Sequence, residues 1–296
     1  MILITGATGF VGRSVLKKVL EKGYQVRCLA RHAPPNHAKD ASRVQWVAGD
    51  VGDLGSLKKA MEGIRKVIHL VGIIVPQGNI TFEVVHAQGT HNMVEAAKKA
   101  GVQKFVHMSA LGTSAAAESQ YHQTKWKGEV YVRYSGLTYT IFRPSIIFGP
   151  GDQFLNMFAR MIRFSPVIPL VGGGVNRLQP IWVEDVASFF ALALDNPISD
   201  NKVYELGGRK DYSMRELMQI LMDTLGKTRP MISIPMPLMR MQAAWMEMLL
   251  PKPPLTRDQL LMMKMPNTCD PGPAARDFGI QLSELEPKLR TYLGRN

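Results

Sequence analysis

Over the first half of the chain, short apolar runs alternate with stretches whose apolar residues recur at helical spacing. The runs at Met1–Thr5, Gln25–Ala30, Val44–Ala48, Lys66–Val71, Lys104–Met108 and Tyr139–Arg143 are too short for helices and read as strands. Between the first two, Val11, Val15, Leu16, Val19 and Leu20 share one face of a helix that Gly23 ends. Further helices are predicted over Leu54–Glu62, Phe82–Lys99 and Gln120–Tyr134. Strand and helix in strict succession predict parallel strands joined by right-handed crossovers, an α/β doubly wound sheet with helices on both faces.

After Gly149 the pattern changes. Pro and Gly become frequent, and Gly172-Gly173-Gly174 reads as a tight turn between short strands. A helix near Val183–Leu194, a strand at Val203–Leu206 and a helix near Met214–Leu225 follow. We therefore expect a core domain over residues 1–150 and a smaller, mixed substrate or cap region over 151–296, interleaved with the last core strand and helix at about 180–206. Twelve of the 18 methionines fall between Met214 and Met265, and pliable thioether side chains suit an adaptable cap. The run Leu238–Leu250 is apolar on most sides and bounded by prolines. Packing within the cap is its default reading; a cover for a hydrophobic substrate, a membrane interface and a docking surface are the alternatives.

Composition narrows the class. With 46% hydrophobic and 20% charged residues among 296, the chain is an ordinary globular protein, which excludes disorder, collagen and coiled coil. Cys28 and Cys269 stand far apart without metal-type spacing, so neither a disulfide framework nor a metal site is encoded, and a reducing compartment fits. Met1–Gly6 already reads as a strand, so no export leader is expected, and no apolar run is long enough for a transmembrane span. The net charge of +12 is spread along the chain without a nucleic-acid-binding motif, so nucleic acid is not an expected partner. A cytoplasmic location is expected, with peripheral attachment to a membrane as the alternative.

The chemistry begins at Thr5-Gly6-Ala7-Thr8-Gly9-Phe10-Val11-Gly12, between the first strand and the first helix. Gly6 allows a sharp turn, Gly9 allows close approach of a pyrophosphate, and Gly12 allows the helix to pack on the strand. The helix N-terminus offers free N–H groups and a positive dipole end to the anion. Roughly 20 residues past such a loop, an acidic residue suits a free ribose 2′-hydroxyl and a basic one a 2′-phosphate. Here the second strand ends in Cys28-Leu29-Ala30-Arg31-His32, so Arg31 is the candidate phosphate clamp, with a solvated surface residue as its other reading, and NADP(H) is expected ahead of NAD(H). Asp50 suits the adenine amino group or, equally, a turn or helix cap.

These segments, together with Asp50-Val51, Tyr121 and Lys125 in Tyr-His-Gln-Thr-Lys, Arg143-Pro144-Ser145-Ile146-Ile147-Phe148-Gly149 and Trp182-Val183-Glu184-Asp185, resemble the extended and atypical short-chain dehydrogenase/reductases. Phe142-Arg143-Pro144-Ser145, running on to Gly149-Pro150-Gly151-Asp152-Gln153-Phe154, is similar to the branch of the 39-kDa accessory subunit of respiratory complex I and its bacterial relatives. The resemblance covers roughly residues 1 to 195 and implies a Rossmann-like sheet carrying a nicotinamide dinucleotide. It places Thr8, Phe10, Val11, Val51, Val71 and Gly72 along the dinucleotide with the loop glycines, and Pro144 and Ile147 near the nicotinamide ring.

Tyr121 and Lys125 are four apart on a predicted helix, so they share a face, where an ammonium favours the phenolate. The resemblance implies that Tyr121 is the acid/base and that Lys125 also holds the nicotinamide ribose. Relatives place a catalytic hydroxyl where this chain has Leu111. Ser109 remains in register as a third catalytic or nicotinamide-contacting residue, and Thr113 and Ser114 are substitutes if their loop folds inward. His86 stands where relatives have Asn and receives no role; Asp185 reads as a residue that holds a helix start. Two functions remain open: an NADP(H)-preferring oxidoreductase or epimerase/dehydratase acting on a small carbonyl or hydroxyl substrate, hydrophobic if the Met-rich segment covers it, and a dinucleotide-binding structural or assembly protein without turnover, which the resemblance relates to the complex I accessory subunit and to contact with a respiratory complex.

Overall fold

The computed structural model describes residues 1–32, 42–250 and 253–294; Pro251 and Lys252 of the Pro- and Met-rich stretch and the last two residues of the expected C-terminal region lie outside the described residues. The chain opens with β1 (Ile2–Thr5), α1 (Phe10–Glu21), β2 (Val26–Ala30), β3 (Val44–Ala48), α2 (Leu54–Met61), β4 (Lys66–His69), α3 (Gly89–Lys99), β5 (Lys104–Met108), α4 (Gln120–Arg133) and β6 (Tyr139–Pro144). It continues through β7 (Ile147–Phe148), α5 (Leu155–Phe164), β8 (Ile168–Val171), β9 (Arg177–Leu178), β10 (Ile181–Trp182), α6 (Val183–Ala193) and β11 (Lys202–Leu206). The remainder is β12 (Tyr212–Ser213), α7 (Met214–Leu225), β13 (Met231–Ile234), α8 (Met236–Leu249), α9 (Arg257–Met262), α10 (Gly272–Phe278) and α11 (Leu285–Leu293).

Seven strands form one sheet in the order β3-β2-β1-β4-β5-β6-β11, every neighbour pair parallel. The α/β doubly wound sheet expected from the alternating pattern is therefore present. Successive side chains of a strand point to opposite faces, and both faces are apolar. Ile2, Ile4, Val26, Cys28, Val106 and Phe142 pack on α1 and α6. Leu3, Leu29, Val67, Phe105 and Ile141 pack toward α2, α3 and α4. Strand order reverses between β1 and β4, and in open sheets of this kind the crevice at that point takes ligands.

A third apolar cluster, with Phe148, Leu155, Leu170, Leu217, Leu221 and Leu289, ties α5, α7 and α11 to the short strands after β6. Helix α7 starts at a capping box of Ser213 and Glu216 and ends at left-handed Gly226, the termini its sequence advertises. The helix expected over Phe82–Lys99 differs in its first part, where Glu83–Gln88 is wound as a π-helix. Packing there is close: a Cβ on Gly128 would meet the His86 carbonyl at 2.8 Å, and one on Gly89 would meet the Val51 side chain at 2.8 Å. No described helix is long and apolar enough to cross a membrane.

Candidate functional site

The loop between β1 and α1 is built by glycine. Gly6 has a φ of +78°, and its position faces the backbone of Leu70 and Val71 past β4. Gly9 N–H donates to Gly6 O at 3.0 Å, which closes the turn. At Gly12 a Cβ would lie 2.0 Å from Gly6 O, so α1 approaches the loop as closely as backbone allows. The helix begins at Gly9 with no side-chain cap and no acidic residue in its first turn, so its dipole end is left to an outside anion. Thr8 is exposed, with its carbonyl accepting from Arg13 Nε at 3.1 Å, while Phe10 and Val11 pack into the core.

Around the loop, Arg31 is exposed at the end of β2. Asp50 is exposed and accepts from Gly52 N–H at 2.7 Å, so its side chain also serves a local turn. Val51 is buried against the α3 side of the sheet and Val71 packs on the same cluster. Gly72 stands beside Lys125 and His86: a Cβ there would come within 3.0 Å of Lys125 Nζ and 3.5 Å of His86 Nε2.

Lys125 is 3% exposed and donates from Nζ to Met108 O at 3.1 Å, at the end of β5. Burial pushes its ammonium down to about 8, opposed by the field of Glu129 one turn on. Glu129 is itself fully buried, but both its oxygens are taken by Arg143, at 2.8 Å each, with Arg133 adding 2.9 Å. Lys125 therefore has no ion-pair partner of its own among the described residues. Tyr121 is half-buried among the rings of Phe82, His86 and His122, with centroids 5.8, 5.3 and 5.2 Å away. Burial pushes its phenol up to about 12. The shift is opposite to the lowering expected from Lys125, and burial is its cause, so the phenol is protonated at neutral pH.

Ser109 lies buried just past β5, and its hydroxyl donates to Thr113 Oγ1 at 3.4 Å. The loop does fold inward at Thr113, which is buried, whereas Ser114 is half-exposed. Leu111 is 4% exposed and its N–H donates to Pro144 O at 2.9 Å, so backbone and an apolar side chain occupy that position. Pro144 is buried and Ile147 half-buried on the far side of that bond. Asp185 accepts from the backbone and hydroxyl of Ser283, a structural tie.

Two residues of this neighbourhood carry no readable motif. His86 Nε2 accepts from Ile73 N–H at 3.0 Å, and its Nδ1 pairs with Thr124 Oγ1 at 3.0 Å, which joins the loop carrying Gly72 to the helix carrying Tyr121. A lone imidazole between Val85 and Ala87 was the only sign of it. Asp258, on α9, accepts from the N–H groups of Gln120 and Tyr121, a contact no local pattern reveals.

The interior beneath Lys125 is lined with imidazoles. His69 is held between Thr5 and Thr90 and stacks on His107, with centroids 5.4 Å apart, while neither nitrogen of His107 has a hydrogen-bond partner among the described residues. Burial, then the charge of Lys125, drops His69 to about 3 and His86 to about 2; burial, then His69, holds His107 well below its ordinary range. Below about pH 6.5 the unfolded chain binds these protons and the folded one does not, so stability falls as pH falls. Three such groups remove about 4 kcal/mol per pH unit. We expect urea midpoints to drop steeply from pH 6 to 5, with uptake of about three protons on unfolding. Midpoints that stay level over that interval would contradict neutral burial of the three rings.

This sheet, with a glycine loop at its switch point and a Tyr/Lys pair on α4, defines a class. The NAD dependent epimerase/dehydratase family matches residues 2–207, and the chain belongs to that family. Among curated relatives, it is 30% identical over 306 residues to the mitochondrial NADH dehydrogenase (ubiquinone) 1 alpha subcomplex subunit 9 of Rattus norvegicus, covering 99% of this chain and 79% of that one. It is 31% identical over 238 residues to the ceramide reductase of Caulobacter vibrioides, covering 80% of this chain and 74% of that one. Among solved structures, the NADPH-dependent quinone oxidoreductase of Escherichia coli, complexed with NADPH, shares the fold with a TM-score of 0.79 at 20% identity, over 98% of this chain and 99% of that one.

Proposed function

We propose that the protein is an NADP(H)-dependent reductase of a lipophilic carbonyl compound. The observation that carries this reading is Lys125, a buried ammonium bonded to a strand-end carbonyl beside Gly72, with no carboxylate of its own among the described residues. A charge left so costs stability, and sites of that kind are retained where they work.

The residues present fit a dinucleotide, because the cradle at Gly6, Gly9 and Gly12 closes if a Cβ is added at Gly12. The amides of Phe10 and Val11 and the Thr8 side of the loop would hold the pyrophosphate, and Arg31 the ribose phosphate. Asp50 and Val51 would meet the adenine, and Val71, Gly72, Pro144 and Ile147 the nicotinamide half. When bound, NADPH supplies the hydride. Tyr121, held protonated by burial, gives its phenolic proton to the carbonyl oxygen. Lys125 steadies the phenolate left behind and the ribose, and Ser109 with Thr113 offers hydroxyls to the oxygen in place of the residue that Leu111 displaces. A lipophilic substrate suits the Met-rich region and accords with the name of the ceramide reductase relative.

A second reading, a dinucleotide-holding subunit of a larger assembly, is favoured by one observation. Leu238, Met241, Trp245, Met248 and Leu249 recur at helical spacing along α8 and are all exposed, although Met239 and Ala243 of the same helix are buried. Such a helix also suits peripheral contact with a membrane. Consumption of NADPH with long-chain keto lipids separates the two readings, and Arg31→Ser is expected to lower the preference for NADPH over NADH by about tenfold. An unchanged preference would remove Arg31 from the site, and no consumption with any carbonyl would favour the subunit.

A further inference from the structure

Three N–H groups open α4 ahead of its first internal bond, which runs from Gln123 N–H to Ser119 O. Ser119 serves one of them, its Oγ accepting from His122 N–H at 3.3 Å. The other two belong to Gln120 and Tyr121 and donate to Oδ1 and Oδ2 of Asp258, at 2.7 and 3.2 Å. The turn that carries Tyr121 is thus completed by a carboxylate 137 positions later in the chain. A carboxylate at a helix N-terminus gains from both the charged hydrogen bonds and the dipole.

Asp258 is in turn fixed to α8. Glu247 accepts from the backbone N–H and Nε of the adjacent Arg257 at 2.7 and 2.6 Å, and a capping box of Thr256 and Gln259 starts α9. A second strut, Lys264 to Glu118, reaches the residue just ahead of Ser119. The apolar support of the α8–α9 unit is small by comparison: Met239, Ala243 and Leu260 are the buried members of its cluster, with Val171, Ile234, Met236, Leu255 and Met263 partly buried against them. A unit held by so little buried surface opens at lower free energy than the sheet core.

We propose that Asp258 is a positioning residue that latches the α8–α9 unit to the first turn of α4, so that displacement of this unit is felt at Tyr121. The inference rests on Tyr121 as the proton donor and adds a means by which a ligand or surface engaging α8 sets the geometry of the reaction. Seating the unit holds the Tyr121 amide in place; lifting it releases two of the three opening N–H groups and lets the turn fray.

Hydrogen exchange in the full chain, for wild type, Asp258→Ala and Asp258→Asn, tests this alongside NADPH titration. Asp258→Ala is expected to speed exchange by about tenfold or more in both the α4 first turn and α8–α9, with the sheet unchanged and NADPH affinity within about twofold. Asp258→Asn keeps a neutral acceptor, so it should fall between the two, and it decides the matter if the alanine variant does not fold. With a reducible substrate, kcat should drop by about tenfold while KM for NADPH holds. The latch is overturned if α4 exchanges at the wild-type rate in folded variants, or if α8–α9 loosens alone. If both segments loosen together but wild type reduces no carbonyl, the latch stands and the reductase reading falls.

Discussion

Gly12→Ala is expected to abolish dinucleotide binding and to destabilise the fold by more than about 3 kcal/mol. The added Cβ would stand 2.0 Å from Gly6 O and 2.8 Å from Ala7 Cα, and both are backbone atoms that no rotamer change can move. The strain is relieved only by pushing α1 away from the loop, which breaks the alignment of its first-turn amides with the anion and loosens Val11 and Val15 from the core. Thermal unfolding together with NADPH titration checks both parts. A variant of wild-type stability that still binds NADPH would show that the approach of helix to loop is not what forms the cradle.

Tyr121→Phe is expected to lower turnover by about 10² to 10⁴-fold while leaving NADPH affinity and folding nearly unchanged. The ring keeps its packing against Phe82, His86 and His122, and only the hydroxyl is lost. That hydroxyl sits in surroundings that hold its pKa at about 12, so removing it relieves desolvation rather than adding to it. With the phenol pushed up to about 12, no alkaline limb from Tyr121 is expected below about pH 10, so the loss should hold across that range. Steady-state rates over pH 6 to 10 check the point; equal kcat in the two proteins would take Tyr121 out of the chemistry.

The N-terminal half was legible because each of its signals is local. Leu3 and Ile4 alternate between the two faces of β1, and Gly6, Gly9 and Gly12 mark the turn into α1. Ser213 and Glu216, then Gly226, announce the two ends of α7. Tyr121 and Lys125 fall on one helix because four residues make about one turn. What the sequence hid is non-local. Strands β8 and β13 pair Ile168 with Met231, an association that neither short segment encodes by itself. The Asp258 contact with α4 depends on how α9 folds back, and the π-helical turn at His86 depends on its packing against α4. Electrostatics were hidden for the same reason. Spacing puts Tyr121 and Lys125 on one helix face, but the direction of the phenol shift follows from burial, which only the assembled fold determines.

On the function proposed above, a phosphorylated nicotinamide dinucleotide would lie across the switch point, with its pyrophosphate on the first turn of α1. Fluorescence titration of the purified protein with NADPH is the decisive measurement. Saturable binding is expected with Kd on the order of micromolar, weaker for NADH, and lost in Gly12→Ala. A titration without saturation up to about millimolar NADPH would overturn the proposal.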